Sequence, residues 1–153
     1  MQVVLVKQGL EEAIRNAPEI LFVAAAGNSD DNNAFTEDIP SSFDLPNLLT
    51  VGAVDQAGDE TSFTSFGRVA VYASGYEVES VVPGGGPMKM SGTSMASPGV
   101  ANLAAKLWAV MPQATVAEVK AAIENGATEK KVPRGTIKLV HPKRSMLKLL
   151  GAN

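Results

Sequence analysis

Two short apolar runs constrain the fold of this 153-residue chain more than any other feature. The first is Ile-Leu-Phe-Val-Ala-Ala-Ala at residues 20–26, and the second is Leu-Leu-Thr-Val-Gly-Ala-Val at residues 48–54. A strand with one wet face alternates apolar and polar side chains, whereas a strand covered on both faces is almost continuously apolar. The two runs therefore predict strands inside a sheet that is covered on both sides.

Apolar residues at helical spacing predict the helices that would supply this cover. One amphipathic helix is predicted over residues 10–17, and a longer core helix ends before Pro112. Thr115 and Glu118 have the spacing of a capping box, which predicts a third helix reaching about Asn125 with Gly126 in the C′ position. Helices that alternate with buried strands indicate an α/β fold with a mostly parallel sheet.

Shorter patterns predict the structure of the remaining segments. Residues 69–73 read as a third buried strand, and residues 77–82 alternate apolar and polar and could pair with residues 88–90 as a hairpin. We expect one domain over residues 1–153, with a less regular tail at 128–153 that includes a short strand at 137–140 and a last helical turn at 145–150.

Composition excludes several classes of function. Hydrophobic residues make up 45% and charged residues 19%, which is ordinary for a globular domain, and no apolar run is long enough to span a bilayer. No membrane partner is therefore expected, and the N-terminus lacks the pattern of a signal peptide. The absence of cysteine excludes disulfides and thiolate chemistry.

Charge is uneven along the chain. Residues 1–128 hold 15 acidic and 6 basic residues, whereas residues 129–153 hold 1 acidic and 7 basic residues. The basic residues of the tail are dispersed, and no aromatic residue lies among them to stack on a base. We therefore expect no nucleic-acid partner.

The segment Ser-Gly-Thr-Ser-Met-Ala-Ser-Pro at residues 91–98 is the part of the sequence that indicates chemistry. It lies between a glycine-rich loop and the start of the long core helix, where unpaired backbone N–H groups and the helix dipole favour an anion. Ser94 in this position is a candidate nucleophile, although a lone serine at a helix start is also a common N-cap.

The string Gly-Thr-Ser-Met-Ala-Ser-Pro at residues 92–98 closely resembles the serine motif of subtilisin-like serine proteases. Three other segments resemble the same family in the same order: Val-Ala-Ala-Ala-Gly-Asn at 23–28, the strand at 48–55, and Thr-Ser-Phe-Thr-Ser-Phe-Gly at 61–67. The resemblance covers residues 8–128 and, more weakly, the tail. It implies a subtilisin-like three-layer α/β fold of which this chain is the C-terminal part.

The resemblance also implies roles for individual residues. Ser94 would be the nucleophile of a serine endopeptidase, and Asn28 would donate its side-chain amide to the oxyanion. A pocket wall for the substrate side chain before the scissile bond would be formed by Ala24, Ala25, Ala26 and Gly27. Because these wall residues are small, they leave room for a large apolar side chain. The expected partner is a protein or peptide substrate.

Serine proteases of this family also need a histidine base and an aspartate, which precede the serine. No histidine precedes Ser94, and the single histidine, His141, is expected to be a surface residue of the tail. Gly99 stands where the family usually has a second histidine outside the triad. We therefore expect the chain to begin part-way through the domain and to be inactive alone.

Three explanations for the missing residues stay open at this point. The chain is a fragment of a longer protease, or it pairs with a separate N-terminal part that supplies Asp and His, or it is a non-catalytic module that binds peptides. A parallel sheet that lacks some of its strands has an open edge and uncovered apolar surface. We therefore expect the isolated chain to self-associate.

Two further expectations come from the resemblance alone. The family is usually secreted and often binds calcium, and the acidic residues Asp30, Asp31, Glu37 and Asp38 lie together in one loop sequence. Their spacing does not match an EF-hand, and a solvated acidic loop is the favoured interpretation. No metal ligands are assigned, and no cofactor is required.

Overall fold

The fold is described here from a computed structural model, over residues 2–152. Within these residues the helices are α1 Gln2–Arg15, α2 Thr93–Val110, α3 Val116–Gly126 and α4 Pro142–Leu149. The strands are β1 Phe22–Ala25, β2 Leu48–Val54, β3 Val71–Ser74, β4 Val78–Val81, β5 Pro87–Met90, β6 Thr128–Val132 and β7 Gly135–Leu139. This arrangement confirms the α/β fold with a mostly parallel sheet.

The main sheet has five strands in the order β1-β2-β3-β7-β6. Strands β1, β2, β3 and β7 run parallel, and β6 is antiparallel to β7. Every residue of β2 is buried, as its apolar sequence predicts. The apolar run at residues 20–26 contributes only the four-residue strand β1, which lies at the edge of the sheet.

The two faces of β2 pack against different helices because successive side chains point to opposite faces. Leu49, Val51 and Ala53 face α2 and α3 in the larger core cluster. Leu48 faces the other way and packs with Ile14 of α1. The sheet is therefore covered on both sides, and the N-terminal end of α2 lies beside the ends of β1 and β3.

The hairpin predicted from residues 77–82 and 88–90 is confirmed. Strand β4 pairs antiparallel with β5 in a separate two-stranded sheet, and nearly all of its residues are exposed. The chain leaves this hairpin directly into the serine-containing start of α2.

The tail at 128–153 is more regular than expected, and the predicted strand at 137–140 and helical turn at 145–150 correspond to β7 and α4. Strands β6 and β7 form a hairpin that extends the main sheet through β3, and α4 runs for eight residues. Half-buried residues alternate with exposed ones along β6, but the alternation involves threonine and lysine, so the hydrophobic pattern is weak. The tail is thus part of the packed domain.

Gly126 is not the left-handed C′ residue that its position suggested. It is the last residue of α3, and the C-cap is Ala127 in an extended conformation. A Cβ at Gly126 would lie 2.5 Å from the backbone nitrogen of Ser145 in α4. The glycine therefore permits close packing of α3 on α4.

The first helix is longer than predicted. It begins at Gln2 rather than near residue 10, and Leu5 and Val6 on its early turns are largely exposed. No helix within residues 2–152 combines the length and apolar character that crossing a membrane requires.

Two glycine substitutions should change stability in opposite directions. The new methyl of Gly99→Ala in α2 meets no atom within 4 Å, so this substitution should raise the free energy of unfolding by up to about 1 kcal/mol through helix propensity.

Gly126→Ala should lower the free energy of unfolding by roughly 1–3 kcal/mol because the new methyl overpacks the contact with α4. Urea denaturation followed by circular dichroism measures both, and stabilisation by Gly126→Ala would contradict the close packing.

Candidate active site

Ser94 is the second residue of α2 and is exposed at the helix start. The helix has Gly92 as its N-cap, with no side-chain cap, so its first N–H groups need other partners. Thr93 N donates to Asn28 Oδ1 at 2.8 Å, and Met95 N donates to Gly92 O at 3.0 Å. The intervening backbone N–H, that of Ser94, donates no hydrogen bond to any group in residues 2–152.

Asn28 is held by the residue next to the serine. Its Oδ1 accepts from Thr93 N at 2.8 Å and from Thr93 Oγ1 at 3.0 Å. Since both bonds engage the amide oxygen, the Nδ2 hydrogens are turned away from Thr93. These hydrogens donate to no group within the described part of the chain. Asn28 and Ser94 are both exposed to solvent.

Thr93 also ties the end of β1 to the start of α2. Its side chain is fully buried, and its Oγ1 accepts from Gly27 N at 3.2 Å. Gly92 N in turn donates to Gly75 O, just beyond β3, at 2.8 Å. The position of the serine therefore depends on hydrogen bonds to two parallel strands at their carboxyl ends.

This arrangement presents two free N–H donors, Ser94 N and Asn28 Nδ2, on either side of Thr93. Such donors are suited to stabilise a negatively charged oxygen, and a helix N-terminus adds a favourable dipole. The hydroxyl oxygen of Ser94 lies at the same helix start. The chemistry that this combination supports is nucleophilic attack on a carbonyl with charge developing on its oxygen.

A cavity of about 470 Å³ opens beside these groups. Its lining includes five of the six residues predicted for the site: Ala24, Ala25, Gly27, Asn28 and Ser94. Ala26 is not among the residues that line it, and its side chain is fully buried.

Two residues of the site were not singled out from the sequence. Thr93 was read only as part of the serine motif, although it forms the network that orients Asn28. Asp38 was read as one member of an acidic loop, yet it lines the cavity with Ser94. It directly precedes Ile39 and Pro40, which also line the cavity, but no sequence pattern singles it out.

His141 does not line the cavity that contains Ser94. It is the N-cap of α4, where its Nδ1 accepts from Arg144 N at 3.4 Å. This histidine therefore has a local structural role, and the cavity contains no histidine from residues 2–152.

The acidic loop residues are dispersed rather than gathered. Asp30 forms an ion pair with Arg134, and Glu37 pairs with Lys7 at 2.6 Å. Within residues 2–152, no three His, Cys, Asp or Glu side chains lie close enough together to hold a metal ion. No step of the chemistry is derived through a metal ion.

Shifted pKa values occur away from the cavity. Burial, followed by the negative charge of Glu60, raises the pKa of Tyr72, which keeps the phenol protonated in a separate cavity of about 500 Å³. Hydrogen bonds from Thr115 lower the pKa of Glu118 in the capping box at the start of α3. Neither group contacts Ser94, so neither is a candidate base for it.

Comparison with known families agrees with this geometry. The model of the subtilase family, a peptidase family, matches residues 4–140. The chain belongs to the subtilase family. The motif resemblance drawn from residues 92–98 and 23–28 is thereby confirmed at the level of the family.

Similar sequences include two proteins of Bacillus. The chain is 36% identical to subtilisin of Bacillus pumilus over 109 residues, which is 71% of this chain and 40% of that protein. It is 34% identical to alkaline elastase YaB of Bacillus sp. (strain YaB) over 122 residues, which is 78% of this chain and 31% of that protein. The chain thus spans less than half the length of these relatives.

Similar solved structures are also subtilisin-like proteases. The prenylagaramide maturation protease PagA has a TM-score of 0.80 at 27% identity and covers 95% of this chain, with 57% of its own chain matched. A cold-adapted subtilisin-like serine proteinase has a TM-score of 0.80 at 32% identity and covers 88% of this chain, with 50% of its own.

Removing the Thr93 hydroxyl should test the network directly. Thr93→Val keeps the shape but leaves Gly27 N without its acceptor, so the free energy of unfolding should fall by roughly 1–3 kcal/mol. Thr93→Ser keeps the hydroxyl and should lose clearly less. Equal stability of the valine and serine variants in urea denaturation would show that the hydroxyl contributes nothing.

Proposed function

We propose that this chain supplies the nucleophile and the oxyanion site of a subtilase that hydrolyses peptide bonds. Ser94 is the nucleophile in this proposal, and Asn28 Nδ2 and Ser94 N bind the oxyanion. The observation that carries the proposal is the pair of hydrogen bonds by which Thr93 holds Asn28 Oδ1 and leaves Nδ2 free beside the serine.

The reaction follows from these positions. Ser94 Oγ bonds to the carbonyl carbon of the scissile peptide, its proton passes to a base, and the carbonyl electron pair moves onto oxygen. The two N–H donors stabilise that oxyanion. When it collapses, the C–N bond breaks and the amine leaves with the proton from the base. Water then attacks the acyl ester by the same route and regenerates the serine.

A base is the missing element of this site. A serine hydroxyl is protonated at neutral pH and needs a histidine that is oriented by a carboxylate. Because no histidine of residues 2–152 lines the cavity, we assign the base to an N-terminal part of the same protease domain, which supplies both Asp and His. The lone chain is then inactive or nearly so, because removal of the histidine from subtilisin itself is known to cost roughly 10⁶ in kcat.

The edge strand β1 is the natural place for that part to pair. Within the described residues its outer edge has no neighbouring strand, and it ends at Gly27 and Asn28 in the site. Parallel strands added there would place their own carboxyl ends beside Ser94. The same unpaired edge supports our proposal that the isolated chain self-associates.

Complementation with a serine-directed probe tests both parts of this proposal. A fluorophosphonate should label Ser94 only after the N-terminal part is added, and Ser94→Ala should abolish the labelling. Sedimentation velocity on the same samples should show larger species for the lone chain and a single 1:1 complex after addition.

Three outcomes would contradict the proposal. Strong labelling of the lone chain would show that a base is already present, and His141→Ala would identify it if it is that residue. Absence of labelling in a verified complex, with peptide binding retained, would indicate a non-catalytic peptide-binding module. A lone chain that remains a monomer at high concentration would exclude self-association through β1.

A further inference from the structure

Asp38 places a carboxylate in the cavity that Ser94 and Asn28 line. Its side chain lies against Gly27, the residue before Asn28, so closely that a Cβ at Gly27 would collide with Asp38 Oδ2. Gly27 has φ +107°, which also favours glycine there. The carboxylate is therefore held next to the strand end that carries the oxyanion donor.

The backbone of Asp38 is fixed, whereas its charge is not neutralised. Its carbonyl oxygen accepts from Ser42 N at 2.7 Å and from Ser41 Oγ at 2.9 Å. The carboxylate itself forms no hydrogen bond or ion pair with any residue from 2 to 152. The adjacent Glu37 differs in this respect, because its carboxylate is paired with Lys7.

A half-buried carboxylate without a partner favours a cationic ligand over a neutral one, since pairing recovers part of the lost hydration. Much of the remaining lining is apolar. The apolar residues of the cavity are Ile14, Phe22, Val23, Ala24, Ala25, Ile39, Pro40 and Leu48. These walls suit the aliphatic stem of a long side chain whose charged end reaches the carboxylate.

We infer that Asp38 makes this cavity select lysine or arginine as the substrate residue before the scissile bond. The inference rests on the proposed function and adds a substrate class to it. It differs from the large apolar side chain expected from the small residues at 24–27, because that expectation considered those residues alone and not the carboxylate of Asp38 beside Gly27.

Peptide binding to the isolated chain tests this selection without requiring catalysis. The probes are four acetylated tetrapeptides with the same first three residues and a free C-terminal carboxylate, ending in lysine, arginine, norleucine or phenylalanine. Titrations followed by ¹⁵N NMR give the dissociation constants. The lysine and arginine peptides should bind at least about tenfold more tightly than the norleucine peptide.

Variants assign the preference to one side chain. Asp38→Asn keeps the shape and removes the charge, so it should bring the lysine and norleucine peptides to within about twofold of each other. Glu37→Gln removes the neighbouring charge, which lies outside the cavity lining, and should leave the preference intact. Circular dichroism verifies that each variant is folded.

The inference is overturned if lysine and norleucine peptides bind equally, if the preference survives Asp38→Asn, or if none of the peptides binds at millimolar concentration. The proposed function fails separately. A lysine preference without labelling of Ser94 in the complemented assembly would support the role of Asp38 and contradict the catalytic role of Ser94. Labelling of Ser94 without a lysine preference would support the catalytic role and contradict the role of Asp38.

Discussion

The hydroxyl of Thr93 is the interaction on which the site depends. It accepts from Gly27 N at the end of β1 and donates to Asn28 Oδ1, while the Thr93 backbone N–H donates to the same oxygen. A fully buried threonine at the first residue of a helix thus joins that helix to the sheet edge. The orientation of Asn28 and the exposure of Ser94 both follow from this connection.

The rest of the fold holds these two elements in place. Strand β2 is buried along its whole length and packs α2 on one face and α1 on the other. Because β1, β2 and β3 are parallel, their carboxyl ends meet at one edge, where Gly27, Asn28 and Gly75 surround the helix start. In the function that we propose, the sheet edge and the helix start together present the oxyanion donors, and the groups that transfer the proton come from another part of the protease domain.

The sequence was most informative where one interaction dominates. The buried strand at 48–54, the hairpin and the Thr115–Glu118 capping box were predicted because burial on both faces, alternation and capping each have a distinct pattern. Strand β6 was missed because two of its three half-buried residues are threonine and lysine, which gives a weak hydrophobic pattern. Gly126 was assigned to a C-cap because close helix packing and C-capping favour the same residue. Ser94 and Asn28, which both line the cavity, were predicted from their motifs, whereas Asp38 reaches the cavity only through a loop that returns to it.

The most direct test of the central claim is the response of the two free donors to a carboxylate ligand. In ¹⁵N NMR spectra of the isolated chain, an acetylated peptide with a free C-terminus should shift the side-chain amide of Asn28 and the backbone amide of Ser94. The Thr93 amide, which is already bonded to Asn28 Oδ1, should move little. A peptide that shifts Thr93 but leaves the Asn28 side chain unchanged would show that Asn28 does not present its amide to the substrate.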